Sequence, residues 1–95
     1  TLFRSLKGYA AVCQLKKDYQ KAFDMYHICL MLSPDNDFSL VYYMGQCQMG
    51  LKNTKMATEL FNTVVTYSQN EKVKEMATAY LELLTANTEE EVQTE

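Results

Sequence analysis

With a single proline, three glycines and one histidine in 95 residues, the chain lacks most of what breaks helices and much of what does chemistry. Scarce Pro and Gly beside abundant Leu, Met, Ala, Lys and Glu point to helix. His27 stands alone, so a zinc site built from His and Cys would need distant residues to converge. The three cysteines, Cys13, Cys29 and Cys47, form no C-x-x-C pair, and each falls inside an apolar helical pattern. They are expected as small buried side chains in a reducing compartment, with no metal bound. No apolar run approaches the roughly 20 residues a membrane helix needs, so direct membrane insertion is not expected. No basic stripe exists to neutralise phosphates, which argues against a nucleic-acid partner. There is no G-x-S-x-G, no phosphate loop and no paired acids on an apolar wall, so neither an enzyme nor a cofactor is expected.

What is present is hydrophobicity with a helical period. At 47% hydrophobic residues the chain can pack a core. A chain this short hides only about 60–65% of its unfolded surface, so that core is modest. The net charge of −3 belongs to the C-terminus: Glu89, Glu90, Glu91 and Glu95 are four of the twelve acids, and the eight others nearly balance nine basic residues. From Asn87 the apolar pattern stops, and 87–95 reads as an acidic, solvated tail.

A shift of 35 residues lays AAVCQLKKDYQKAFDMY, residues 10–26, on GQCQMGLKNTKMATELF without a gap. Ala10 meets Gly45, Lys17 meets Lys52, Ala22 meets Ala57 and Tyr26 meets Phe61. Leu6 meets Val41, Tyr9 meets Met44 and Cys29 meets Val64. Small falls on small and large apolar on large, as packing of a repeated unit requires. Leu6, Tyr9, Ala10 and Cys13 recur at i, i+3, i+4, i+7, and Ala22, Met25, Tyr26, Cys29 and Leu30 form a second stripe. Lys16-Lys17-Asp18 separates the two, with Asp18 placed to cap the second helix. Ser33-Pro34-Asp35-Asn36-Asp37 ends the first hairpin, Pro34 disfavouring helix at Ser33 and Asn36 or Asp37 capping the next. The second hairpin turns near Gly50-Leu51-Lys52-Asn53, and Asn70 caps a last helix with Val73, Met76, Ala77, Tyr80, Leu83 and Leu84 on one face.

The expected architecture is all-α: a superhelix of two helical hairpins and a closing helix. The five helices span about 2–15, 18–33, 37–50, 53–68 and 71–86, with repeat units at about 3–36 and 37–70. Thr1-Leu2-Phe3 read as a helix already in progress, so the chain is expected to be the C-terminal piece of something longer, with one apolar face of the first hairpin open.

Leu6, Tyr9-Ala10, Cys13, Ala22, Tyr26, Cys29 and Pro34 resemble the tetratricopeptide repeat at its proper intervals. The second unit departs from it at Gln48, where a large apolar residue is wanted, and at Gln69, where Pro is wanted. A narrower resemblance rests on GYAAVCQLKKDYQKAFDMY, MGQCQMGLK and NEKVKEMATAYLELL. These are similar to the C-terminal part of the class II type III secretion chaperones of the LcrH/SycD type, from about Leu6 to Leu84. The resemblance implies a protein of the bacterial cytoplasm that keeps hydrophobic translocator proteins soluble by holding an extended segment of them. It also implies self-association for the family, through an N-terminal helix and first repeat that this chain lacks. For some members it implies a transcriptional activator as a second partner.

In stacked hairpins the first helices line the concave face, so their non-core positions are the expected client-binding residues. These are Arg4, Lys7, Ala11, Gln14 and Leu15 on the first unit and Ser39, Tyr42, Gln46 and Met49 on the second. Tyr42 is expected in the groove with Tyr43 turned inward, and Gln14 and Gln46 are expected to pair with a peptide backbone. A carboxylate clamp for chain ends is disfavoured: Lys7 holds the Lys position, but Ala11 stands in place of Asn and Tyr42, Tyr43 and Gln46 do not complete the set. A purely structural scaffold is the remaining alternative.

Overall fold

The computed structural model describes residues 2–33 and 37–94, with side chains for 4–33 and 37–86. Five helices follow one another: α1 (Leu2–Leu15), α2 (Tyr19–Leu32), α3 (Phe38–Gly50), α4 (Thr54–Tyr67) and α5 (Glu71–Thr94). Each packs chiefly on its sequence neighbours, and α5 also touches α3. The result is a series of sequentially packed helices, the all-α hairpin architecture expected from the repeat.

Both hairpins turn in the same way. The Asp18 N–H donates to the Cys13 carbonyl and the Lys17 N–H to Gln14; 35 residues on, Asn53 donates to Gln48 and Lys52 to Met49. Lys17 and Lys52 accordingly sit in the left-handed region, at φ 65° and 64°. This is the Schellman closure of a helix C-terminus, occupied here by lysine rather than the usual glycine. The starts of the second helices differ. Asn53 accepts from the Met56 N–H, whereas Asp18 holds the cap position with no side-chain cap bond. Asp37 caps α3 by accepting from Ser39, and Asn70 caps α5 by accepting from Lys72 and Val73. Pro34 and Asn36, expected as stop and cap, lie outside the described residues.

The missing proline of the second unit is replaced by a side chain. Ser33, before Pro34, is extended at φ −71°, ψ 130°. Ser68, at the matching position, adopts φ −69°, ψ 142°, and its buried hydroxyl accepts the Asn70 N–H. Two local devices thus give one helix ending.

The core has two lobes. Ala10, Cys13, Ala22, Tyr26, Cys29, Leu40, Met44 and Cys47 join α1, α2 and α3. Val41, Tyr42, Ala57, Phe61, Val64, Val73, Ala77 and Leu84 join α3, α4 and α5. Gly45 explains why Ala10 has a smaller mate: a Cβ there would lie 2.8 Å from the Phe61 ring. Gly50 is crossed as closely by the Tyr19 ring, at 2.5 Å from an added Cβ. Gln48, the departure from the repeat pattern, is buried nonetheless. No buried side-chain nitrogen or oxygen among the described residues lacks a hydrogen-bond partner.

Three expectations are corrected. The helical backbone of α5 continues to Thr94 instead of stopping near Ala86. Neither Gly nor Pro interrupts the stretch, and its Glu and Gln residues favour helix. Within α5, Leu83 is exposed and Leu81 packs on the core in its place, because the buried stripe runs Val73, Ala77, Tyr80, Leu84 with Leu81 one turn after Ala77. Tyr9, expected in the core, is 47% exposed, with the Lys21 ammonium 5.5 Å above its ring. Val12, three residues on, is exposed to the same extent.

Candidate functional site

A groove of about 760 Å³ runs along the face that α1 and α3 share. Its α1 wall is Lys7, Ala11, Gln14 and Leu15, spaced i, i+4, i+7, i+8, one face of one helix. The opposite wall is α3, through Tyr43, Gln46, Met49 and Gly50. Tyr26 of α2 reaches up between them, Lys17 comes from the first turn and Tyr19 from the start of α2, and Tyr80 of α5 closes the far side.

The polar groups of this groove are tied to one another. The Tyr26 hydroxyl donates to Gln14 Oε1 at 2.9 Å, and Gln14 Nε2 donates to Gln46 Oε1 at 2.8 Å. Gln46 Nε2 donates onward to the Tyr42 hydroxyl at 3.0 Å and the Tyr80 hydroxyl at 3.1 Å. One chain of hydrogen bonds therefore links α2, α1, α3 and α5. The two Gln46 N–H groups are both spent inside the protein, while Gln14 keeps one N–H and one lone pair.

Beneath it lies a run of rings. Tyr26 stacks on Tyr43 at 5.4 Å, Tyr43 meets Tyr42 at 5.5 Å, and Tyr42 meets Phe61 and Tyr80, each at 5.9 Å. Phe61 and Tyr80 stack at 5.1 Å and 4°. Such pairs fix ring orientation as well as burying area. Burial pushes the Tyr26 phenol up to about 12, and the nearby Cys47 thiol adds to the shift. Tyr42 is likewise pushed up to about 12 by burial and then by the Tyr80 phenol. Burial alone pushes the Cys47 thiol up to about 12. These groups are held neutral, as a hydrogen-bonded floor requires, and none is poised as a nucleophile or base.

Of the residues expected in the groove, Lys7, Ala11, Gln14, Leu15, Gln46 and Met49 are brought together there. Three are not. Arg4 is exposed and lies off the groove. Ser39 sits in the first turn of α3, where its N–H is held by Asp37. Tyr42 is buried at 6% exposure, and it is Tyr43 that faces the groove. The inversion has a packing cause: α5 lies over the Tyr42 side of α3, so that ring is enclosed by Phe61 and Tyr80. Gln14 and Gln46 are present but pair with each other rather than standing free. Tyr19, Tyr26, Tyr43 and Tyr80 were not foreseen as lining residues. The repeat placed Tyr26 in the core, and its hydroxyl end reaches the groove from there.

Among the described residues the groove wall carries lysines and no carboxylate. Among the described residues no group of three or more His, Cys, Asp or Glu could hold a metal ion, and no helix is long and apolar enough to cross a membrane. The arrangement offers an apolar, aromatic trough with a few fixed polar points, a shape suited to holding a chain segment.

Residues 5–36 match the tetratricopeptide repeat family. The chain is 42% identical over 84 residues to the chaperone protein SicA of Salmonella dublin and of Salmonella typhimurium, an alignment covering 87% of this chain and 50% of the relative. It is 44% identical over 85 residues to YgeG of Escherichia coli K12, an uncharacterized protein, across 90% of this chain and 52% of the relative. The chain thus spans about half the length of the curated relatives it matches.

Proposed function

We propose, from a chain whose residues 5–36 match the tetratricopeptide repeat and which is similar to SicA over most of its length, a type III secretion chaperone whose concave groove holds an extended segment of a hydrophobic translocator protein. The observation that carries the proposal is the groove itself, walled by α1 and α3, with Tyr26 between them and Tyr80 closing the far side. Rigid rings give apolar contact at low entropic cost, and Met49 and Leu15 adapt to different side chains. Holding the client's apolar segment there keeps it from self-association. The internal hydrogen bonds of Gln14 and Gln46 pre-organise the floor, so less order is lost on binding.

The role is binding, with no catalytic residue assigned. Client work of this kind belongs in the cytoplasm, before export. The spare N–H and lone pair of Gln14 are the polar points left for a client backbone. Co-expression with each hydrophobic translocator protein encoded beside its gene tests the reading. A translocator that becomes soluble and co-purifies supports it; translocators that all remain insoluble contradict it. Co-purification with a transcriptional activator instead would favour the regulatory role.

A further inference from the structure

The chain of hydrogen bonds across the groove leaves one amide unfinished. A glutamine side chain has two N–H donors and two acceptor lone pairs. At Gln14 one lone pair takes the Tyr26 hydroxyl at 2.9 Å, and one N–H goes to Gln46 Oε1 at 2.8 Å. One donor and one acceptor remain, on a residue that lines the groove. The count is the same whichever way round the amides are set. Reversing Gln14 and Gln46 together only makes the tyrosine hydroxyls exchange donor and acceptor roles. Gln46 differs, because its amide makes three bonds, to Gln14, Tyr42 and Tyr80. Gln14 is also held in place. Tyr26 is buried at 2% exposure and stacks on Tyr43, which fixes the hydroxyl that anchors Gln14 Oε1. Gln46 anchors the other end and is itself tied to α5 through Tyr80.

In an extended strand the N–H and C=O of one residue point to the same side, which is how antiparallel strands exchange two bonds between facing residues. A side-chain amide with one donor and one acceptor to spare offers the matching pair. We propose that Gln14 grips a single residue of an extended client segment through that residue's main-chain N–H and C=O, with Tyr26 and Gln46 as positioning residues that hold the Gln14 amide for it. The inference rests on the groove being the client site. Such a grip accepts any residue except proline, which has no N–H to give. What it fixes is register. Side chains alternate along an extended segment, so holding one residue decides which alternate set turns into the groove. A free glutamine would lose rotamer freedom on binding, and the bonds to Tyr26 and Gln46 have already taken that freedom away.

The probes are ten-residue peptides, capped at both ends, selected by display for binding to the wild-type protein and for loss of binding to Ala11→Arg, which puts a bulky side chain into the groove. In the tightest of them each residue in turn is replaced by its α-hydroxy acid, which exchanges one main-chain N–H for an ester oxygen. At one position the ester is expected to weaken binding about two- to tenfold, the worth of one hydrogen bond. That loss should vanish on Gln14→Leu. It should shrink on Tyr26→Phe and on Gln46→Met, which leave Gln14 in place and remove its anchors. Thermal melts confirm that each variant is folded, and Gln14→Met repeats the measurement should Gln14→Leu melt early. A merely structural Gln14 would weaken every peptide alike and leave the ester profile unchanged, and that result would overturn the grip while the groove reading stands. A loss that vanishes on Gln14→Leu but stays whole on Tyr26→Phe and Gln46→Met would overturn the positioning roles. Failure to find any peptide that the wild type binds and Ala11→Arg does not would overturn both the grip and the groove.

Discussion

The first helices of the two hairpins start from one pattern and end in different surroundings. In α3, Leu40, Val41, Tyr42, Met44, Cys47 and Gln48 are all buried. In α1 only Ala10 and Cys13 are, among the described side chains, and Tyr9, Val12 and Leu15 are exposed. Shifted by 35 residues, the stripe of α3 that meets α2, Leu40, Met44 and Cys47, falls on Ser5, Tyr9 and Val12. In a stacked repeat the neighbour supplies half of each unit's burial, so the same positions are core in one copy and surface in the other. The groove side follows another logic. There α1 and α3 contribute equally, and α5 closes what they leave open.

Alkali should break both copies at once and have the largest effect. Tyr26 and Cys47 lie where the hairpins meet, Tyr42 lies between α3, α4 and α5, and burial raises each to about 12 from ordinary values of 10, 9 and 10. The unfolded chain therefore loses these protons first. The stabilisation is whole below about pH 9 and drains away as pH rises toward 12. Urea midpoints measured from pH 8 to 11 should fall steeply over the upper half of that range; a flat profile would place the phenols outside the core.

Truncation separates the copies. Met44→Ala should cost about 2–5 kcal/mol, as for a buried methionine. Its repeat mate, Tyr9→Ala, should cost within about 1 kcal/mol in this chain. Equal losses by urea titration would mean that α1 is covered as α3 is. The glycines sharpen the contrast by sign. Gly45→Ala drives a Cβ to 2.8 Å from the Phe61 ring and should destabilise by about 1–3 kcal/mol. Gly8→Ala meets nothing within 4 Å and should stabilise by about 0.5–1 kcal/mol. The smallest effects test what the copies share. Lys17→Gly and Lys52→Gly should each stabilise by about 0.5–1 kcal/mol, because both turns place a side chain at positive φ. Unequal effects in thermal melts would show that the turns differ in strain.

The helices were legible because their signals are local. The 35-residue repeat, the periodic stripes and the polar turns located all five within a residue or two at most ends, and Asp37 and Asn70 cap where the sequence puts them. What was not legible depends on neighbours distant in sequence. Tyr42 and Tyr43 are adjacent and chemically identical, so only the placement of α5 decides which one is enclosed. Gln14 and Gln46 are 32 residues apart and not repeat mates, so no periodicity announces their bond. Tyr9 fits an apolar stripe perfectly well, yet it stays about half exposed with the Lys21 ammonium of α2 over its ring. The length of α5 was missed for a different reason: loss of apolar period marks the end of packing, and helix outlasts packing where Glu and Gln continue it.

Ala11 and Val12 are both exposed and adjacent on α1, but Ala11 lines the groove and Val12 lies on the other side of the helix. A photo-reactive amino acid placed at each in turn, with a co-expressed hydrophobic translocator, distinguishes the two faces directly. Capture of the translocator from position 11 and not from position 12 is the expected result; capture from position 12 and not from position 11 would contradict a client held in the groove.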